Sequence, residues 1–506
     1  MTKPLVRHPI TLTPLSPIHI GSGDDLDWTR AVPDPKRHEL MVFDPLSVRL
    51  PDAALRALET AAARQGMGAI FELQRVLKAN VQHLRTGEIG RIELTTGEHE
   101  RILQSFGANA QAGQWGAGQV ASQIAISRHA LTPEGRPYVP GSSLKGALRT
   151  AEVAKRDAAG NRAAPPSPRP DQKDPSDRLL GAVDAEGRKR FHASPFARLF
   201  VSDLLPAGAW SGLVAEVRNH KRAPVAGPAT ASISVRVELI PPFVPGALRG
   251  DIREHRQRGG TDRGRAFLLL ADLLRTTHDF HRRLFDFFAG ELQKAERGLP
   301  PEWIRAVREL LADEALASAI REGRAALVRL GRFGSAESKT VEWRAVRIPQ
   351  AARTGGQQFV LHPYTLWLAD LGPHRLPLGW ALLEVAEEPS NAVRAFCDRF
   401  AGASREARGE AEDGERPAPP EAPPAALGPR IVTDRSGPNL SRLGMREDQH
   451  DAGKPVFDML KNLSNQVRSW TADERAVFAR LYHEKLRNTL PPHQHAVIAP
   501  RLPKPE

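Results

Sequence analysis

Apolar and polar residues alternate along Ile10-Thr11-Leu12-Thr13 until Pro14 interrupts them. A period of two is that of a strand, and the proline limits it. The pattern then runs into Ile18-His19-Ile20-Gly21-Ser22-Gly23-Asp24-Asp25, and residues 5–50 read as strands around this glycine turn, closing with Glu39-Leu40-Met41-Val42-Phe43. Between 52 and 85 the period changes. Leu55, Leu58 and Ala62, then Ile70, Leu73 and Leu77, recur at helical spacing, broken by Gly66 and Gly68. Residues 120–130 predict another strand, and a helix follows from about Ser143 to Arg156. Ala158–Asp177, rich in Pro, Ala, Arg and Asp, reads as a disordered insertion.

Order resumes at Phe196-Ala197-Arg198-Leu199-Phe200-Val201-Ser202-Asp203. Ala215–Arg222 predicts a basic strand and loop, and Ser232–Leu239 alternates as a half-buried strand does. Residues 249–265, rich in arginine and glycine, read as a flexible basic loop. Residues 266–294 and 301–325 predict amphipathic helices, and the last strands of the core flank Gly331 and Gly379. A Glu/Arg/Pro/Ala stretch over 404–430 lacks the apolar residues to pack. Beyond it, Thr471-Ala472-Asp473-Glu474 forms a capping box with Trp470 as its staple, and Val477, Phe478, Leu481 and Tyr482 share one face. A small helical appendage is expected over 431–490.

Composition narrows the class. With 506 residues and 41% hydrophobic content the chain can bury a sizeable core. A net charge of +12 favours a polyanionic partner, although arginine-rich coding alone can produce such an excess. The single cysteine, Cys397, excludes an internal disulfide framework and a cysteine-based zinc site. Met1-Thr2-Lys3-Pro4 leads into a strand pattern rather than a signal peptide, and no stretch is long and apolar enough for a membrane span. A cytoplasmic protein is expected.

Three glycine-bearing segments carry candidate chemistry. Tyr138-Val139-Pro140-Gly141-Ser142-Ser143-Leu144-Lys145-Gly146-Ala147-Leu148-Arg149-Thr150 places a turn before a helix. Ser142 or Ser143 is positioned to cap that helix, whose N-terminus favours an anion. Lys145 and Arg149 fall on one helix face, where they either meet phosphates or are simply solvated. Gly21-Ser22-Gly23 lets backbone approach a ligand closely or makes an ordinary hairpin turn. In Leu330-Gly331-Arg332-Phe333-Gly334-Ser335-Ala336-Glu337-Ser338-Lys339-Thr340, backbone N–H groups, Arg332 and Lys339 suit phosphate, and Phe333 either stacks on a base or joins the core. The Walker spacing Gly-x-x-x-x-Gly-Lys-Ser/Thr is absent. Arg218, Lys221 and Arg222 line an RNA channel or mark a solvated edge strand.

Together these segments resemble the RAMP-superfamily subunits of type III CRISPR effector complexes. The chain is most similar to the fifth subunit of the type III-A (Csm) complex. Leu12–Gly23 resembles the opening strand and glycine turn. Tyr138–Thr150 matches the family's Pro-Gly-Ser-Ser-x-Lys-Gly-x-x-Arg motif, Gly331–Thr340 is similar to its later glycine-rich loop, and Pro377-Leu378-Gly379-Trp380 resembles its closing Gly-Trp element. The later loop has fewer glycines and aromatics than that pattern, and the chain continues well past Trp380.

The resemblance implies an α+β, modified tandem ferredoxin-like (RRM-like) fold. The expected division is an N-terminal half over 1–205, a C-terminal half with a helical insertion over 206–400, a linker over 401–430 and an appendage over 431–506. It further implies a non-catalytic subunit that caps the crRNA 3′ end and supports crRNA maturation, with no cofactor and no metal. The implied partners are crRNA, other type III subunits (above all the backbone RAMP subunit), target RNA indirectly, and host 3′ exonucleases. The expected RNA-binding residues are His19, Gly21, Ser22, Gly23, Gly141, Ser142, Ser143, Lys145, Arg149, Arg218, Lys221, Arg222, Gly331, Arg332, Phe333, Gly334, Ser338 and Lys339.

Catalytic alternatives are few. Asp24 or Asp25 occupies the place where backbone RAMP subunits carry a target-cleaving aspartate, or simply finishes a turn. His19 is a candidate general acid or base for metal-independent RNA cleavage. His278-Asp279 and His281 share a helix face, with a structural role as the plainer reading.

Overall fold

The strands of the computed structural model, in chain order, are β1 (Leu5–Pro14), β2 (Gly21–Leu26), β3 (Ala31–Pro33), β4 (Glu39–Phe43), β5 (Glu88–Leu94), β6 (Ile126–His129), β7 (Leu199–Val201), β8 (Leu205–Pro206), β9 (Leu213–Lys221), β10 (Ser234–Leu239), β11 (Leu248–His255), β12 (Ala325–Arg329), β13 (Val346–Pro349), β14 (Gln357–Val360), β15 (Thr365–Asp370), β16 (Arg375–Pro377) and β17 (Trp380–Glu384). The main helices are α1 (Asp52–Ala62), α2 (Met67–Ala79), α3 (Thr96–Ala108), α4 (Gly141–Ala159), α5 (Leu270–Lys294), α6 (Pro301–Ala312), α7 (Glu314–Arg321) and α8 (Asn391–Ala407).

The structure describes residues 5–26, 29–34, 36–63, 67–108, 125–159, 176–184, 186, 188–190, 193–221, 234–255, 268–294, 301–339, 346–349, 357–360, 365–372 and 375–407. They belong to a compact unit, Met1–Glu415; a second unit, Arg416–Glu506, falls outside them. The body of the expected insertion, most of the linker, the appendage with its capping box, and Arg222 therefore lie outside the described residues.

The first sheet runs β12-β17-β1-β11-β7, with β8 continuing along the same edge of β11. The pairs β17–β1, β1–β11 and β11–β7 are all antiparallel. With α4 between β1 and β7 in the chain, and α5 between β11 and β17, this is the 4-1-3-2 order of a ferredoxin-like βαββαβ unit. The expected α+β, ferredoxin-like class is met. A second sheet runs β2-β6-β10-β9-β5-β4-β3, and β15 pairs with β9. Each sheet draws strands from both sides of residue 205.

Side-chain alternation explains the layers. Ile10 and Leu12 of β1, Leu199 of β7, Leu248 and Ile252 of β11, and Ala381 and Leu383 of β17 point to one face. There they pack with Leu144, Ala147 and Leu148 of α4 and Leu270, Leu273 and Leu274 of α5. The other face of β12 and β17 presents Ala325, Leu327, Trp380 and Leu382 to a second core. That core takes Leu213, Ala215 and Val217 of β9, Val237 and Leu239 of β10, and Trp303, Ile304 and Val307 of α6. It therefore joins the two sheets. Buried Glu254 of β11 accepts from the Leu270 N–H at 3.0 Å, so a strand residue satisfies the first turn of α5.

Two expectations change. Residues 249–255, read as loop, are strand β11, because Leu248, Ile252 and Glu254 alternate inward while Arg249 and Arg253 stay outside. Over Ser234–Leu239, the described part of the alternating stretch, the half-buried pattern stops at Arg236. Val237, Glu238 and Leu239 are all buried, since Glu238 enters a polar pocket below His19 while its neighbours join the core between the sheets. Among the described residues no helix is long and apolar enough to cross a membrane.

Candidate nucleic-acid interface

Pro17–Ile20 leaves β1 and is clamped by backbone bonds from four directions. Pro17 accepts from Gly379 at 2.8 Å, Ile18 exchanges bonds with Ile240, His19 accepts from Arg332 at 2.8 Å, and Ile20 accepts from Ala130 at 2.7 Å. These partners come from sequence positions hundreds of residues apart. Two glycines make the approach possible. Gly331 has φ +91, and a Cβ there would lie 2.3 Å from the His19 carbonyl oxygen. Gly379 has φ +95, and its Cβ would lie 2.2 Å from the Leu330 carbonyl oxygen. Both positions thus require glycine for conformation and for space. The first glycine segment, the later loop and the closing Gly-Trp element meet here.

Beneath this junction is a buried polar pocket. His19 is 1% exposed, and its Nδ1 lies 2.7 Å from the Glu238 carbonyl oxygen. Its ring packs edge-on to His129 with centroids 5.9 Å apart and tilts against Phe333 at 5.5 Å. The Glu238 carboxylate accepts from Arg128 Nε at 2.9 Å and from the His129 N–H at 3.3 Å. Burial pushes the Glu238 carboxyl above its usual range, with Arg128 opposing. Burial lowers His19, with Arg332 adding to the effect against the Glu238 carbonyl, and takes His129 down to about 3. Both imidazoles are neutral at neutral pH.

The outer rim is exposed. Gly21, Ser22, Gly23, Asp24 and Asp25 lie on β2, the edge strand of the second sheet. Gly23 has φ +92 with no atom near its missing Cβ. The Ser22 hydroxyl donates to the Arg128 carbonyl at 3.3 Å and accepts from the Asp24 N–H at 3.2 Å. Arg332 and Lys339 are exposed at the later loop, where Lys339 Nζ donates to the Arg332 carbonyl at 3.3 Å. Ser338 is buried and donates to the Gly334 carbonyl at 2.9 Å, which folds the loop on itself. Ser335 takes φ +68 within that fold, a conformation costly for a residue with a side chain. α4 packs against the Ala336–Lys339 turn.

Several motif residues turn out to hold the fold. The helix starts at Gly141 rather than Ser143, so Ser142 and Ser143 lie within its first turn instead of capping it. The Asp203 carboxylate accepts from the Gly141 N–H at 2.8 Å and occupies the place expected for an anion. A Cβ on Gly141 would lie 2.3 Å from the Val201 carbonyl oxygen, so this glycine lets α4 sit directly on β7. Half-buried Lys145 donates to the Leu199 carbonyl at 2.6 Å, and burial lowers its ammonium. Arg149 pairs with Asp177 at 2.8 Å. Phe333 is buried against His19 and Trp367 (centroids 5.2 Å), a core residue with no face open to a base.

Arg218 lies elsewhere. It bonds Glu216 at 2.7 Å in an ionic cluster that also holds Glu98, Arg101, Arg236 and Asp370. Lys221 sits on β9 opposite Thr365, and Arg222 is outside the described residues. His278 accepts from the Leu327 N–H at 3.3 Å, and fully buried His281 bonds the Thr277 carbonyl at 2.9 Å, so both are structural. Among the described residues no cluster of His, Cys, Asp and Glu is arranged to hold a metal. Sequence reasoning missed Arg128, His129, Glu238 and Asp203. Glu238 carried one faint signal, a charge at a core position of a strand, whereas the others lie in segments with no local mark of their role.

A comparison with curated proteins finds no match. Among solved structures the chain is similar to one from the cryo-EM structure of a Csm-crRNA-target RNA ternary complex in a type III-A CRISPR-Cas system, at 19% identity and TM-score 0.42 over 75% of this chain and 100% of that one. It is also similar to the crystal structure of T. onnurineus Csm5, at 18% identity and TM-score 0.37 over 74% of this chain and 99% of that one. The family model described as the RAMP superfamily matches residues 11–314, more than half of the sequence, and the chain belongs to the RAMP superfamily.

Proposed function

We propose that this chain is a non-catalytic crRNA-binding subunit of a type III-A CRISPR ribonucleoprotein, placed at the 3′ end of the crRNA. One observation carries the reading. Gly331 closes the later loop onto the His19 carbonyl, which brings the exposed side-chain-free backbone of Gly21 and Gly23 and the exposed cations Arg332 and Lys339 to the rim of one junction. Such a surface suits a sugar–phosphate backbone. Guide sequence is then read by base pairing and not by this protein. Lys145 and Arg149 serve chiefly to anchor α4.

His19 supports binding over cleavage. A general acid or base must reach its substrate, and His19 is buried with Nδ1 engaged by the Glu238 carbonyl. The partners under this reading are crRNA, the backbone RAMP subunit and other type III subunits, with target RNA engaged through the guide and host 3′ exonucleases trimming the exposed end.

The test is purification of the full chain from cells carrying a CRISPR array, with the bound RNA sequenced. Guide RNAs trimmed at the 3′ end, accompanied by other RAMP subunits, are expected. In vitro, Arg332→Ala and Lys339→Ala should each reduce the slope of log affinity against log salt by about one. Absence of guide RNA and of partner subunits overturns the proposal.

A further inference from the structure

The first sheet has one face covered by α4 and α5 and a second face that is only half covered. On β12, β17 and the end of β1 this second face meets the core between the sheets. Toward β7 and β8 it is open among the described residues. The strand register shows what lies there. Leu5 is opposite His255, Arg7 is opposite Arg253 and Arg253 opposite Phe200, and Arg249 is opposite Leu205. These residues share the face away from Ile10, Leu248 and Ile252. Phe200, Leu205 and Leu5 are 47%, 54% and 45% exposed, so three of the eight exposed large apolar residues among the described residues share this one sheet face.

Its charge is positive. Asp251 is shared by Arg7 at 3.5 Å and Arg253 at 2.7 Å, and Glu388 is shared by Arg249 at 2.5 Å and Arg394 at 3.0 Å. Each carboxylate is thus outnumbered by guanidiniums. The guanidiniums of these pairs are exposed, and surface pairs of this kind contribute little, so a phosphate can compete for them. The Phe200 and His255 rings meet edge to face with centroids 5.8 Å apart, which holds the phenyl ring in place. Arg249 and Arg253 are four residues apart on one strand, a span of about 13 Å. A net positive, aromatic-bearing open sheet face matches the chemistry of a flexible polyanion with stackable bases better than that of an apolar protein partner.

We propose that the outer face of the β1-β11-β7-β8 sheet is a second surface for single-stranded RNA, with Phe200 stacking a base and Arg7, Arg249 and Arg253 contacting the flanking phosphates. The proposal rests on the reading of this chain as an RNA-binding protein but not on its glycine segments.

Fluorescence anisotropy of a labelled oligoadenylate RNA against the full chain tests it, measured between about 50 and 200 mM salt. Phe200→Ala should weaken binding about tenfold and leave the salt slope unchanged, because stacking carries no counterions. Phe200→Tyr should bind as the parent does. Arg253→Ala should lower the salt slope by about one. If the parent binds and Arg332→Ala weakens it while Phe200→Ala and Arg253→Ala do not, this surface is refuted and the glycine-segment reading survives. If the parent binds no RNA, both fall. If the Phe200 and Arg253 variants retain RNA affinity but lose a co-purifying subunit, the face is a protein contact and the proposal is wrong.

Discussion

Gly331→Ala is the sharpest perturbation of the junction that places the proposed interface. Two costs separate cleanly. The first is conformational: φ +91 holds the residue in a left-handed region that costs a residue with a Cβ about 1–2 kcal/mol. The second is spatial. A Cβ 2.3 Å from the His19 carbonyl oxygen must move about an ångström to reach ordinary contact, and that oxygen belongs to backbone, which cannot swing aside. The displacement breaks the Arg332 N–H bond to His19, worth about 1 kcal/mol, and disturbs the packing of Phe333 on His19. The expected total is about 3 kcal/mol or more. Gly23→Ala is the control, since φ is +92 and nothing lies within contact of its Cβ, so only the first cost of about 1–2 kcal/mol applies. Gly146→Ala, within α4 with open space around it, should be neutral or stabilise by up to about 1 kcal/mol. Urea unfolding of the full chain, followed by tryptophan fluorescence, ranks the three. If Gly331→Ala loses no more stability than Gly23→Ala, the later loop does not close on His19 and the proposed interface has no frame.

Acid should destabilise the protein well above the carboxylate range. His129 falls to about 3, and His278 and His281 to about 4, all by burial. Folded values below the ordinary 6.5 mean that the unfolded chain takes protons first, so stability falls as pH drops below 6.5, by about 1.4 kcal/mol per unit for each histidine. His129→Asn should soften the loss between about pH 6 and 4; an unchanged acid profile would contradict the buried neutral imidazole. Glu98→Ala should cost about 3 kcal/mol, because it leaves half-buried Arg101 and largely buried Arg236 without their shared carboxylate, which urea unfolding can measure. Asp24→Ala and Asp25→Ala should leave guide-paired RNA as intact as the parent does in the presence of magnesium. Cleavage by the parent that either variant abolishes would make this a slicing subunit. Lys145→Met should lower the unfolding midpoint yet leave the salt slope of RNA binding unchanged, since its ammonium is committed to Leu199.

Legibility of the sequence divides along one physical line. Helices and strands follow from local periodicity, and for that reason α1, α2, α5, α6 and the alternation of β1 are legible in the residue order alone. Local signals also mark the glycines, because a positive φ or a close approach excludes other residues at Gly331, Gly379 and Gly141. What each glycine approaches is not local. The oxygen below Gly331 belongs to His19, and the oxygens below Gly141 belong to Val201 and Ser202. Lys145 and Arg149 have the spacing of a phosphate-binding helix face, and nothing in that spacing distinguishes a phosphate from the Leu199 carbonyl and Asp177 that they meet. Phe333 beside Arg332 has the composition of a stacking loop, but Trp367 and His19 bury it. Phe200 is the converse. It sits in an apolar run whose neighbours Leu199 and Val201 face inward, so its composition suggests core, and only pairing with Arg253 on β11 turns it outward beside cations. Aromatic and basic residues near a glycine turn therefore identify where chain segments meet, and the register of the strands decides which of them remain available to a ligand.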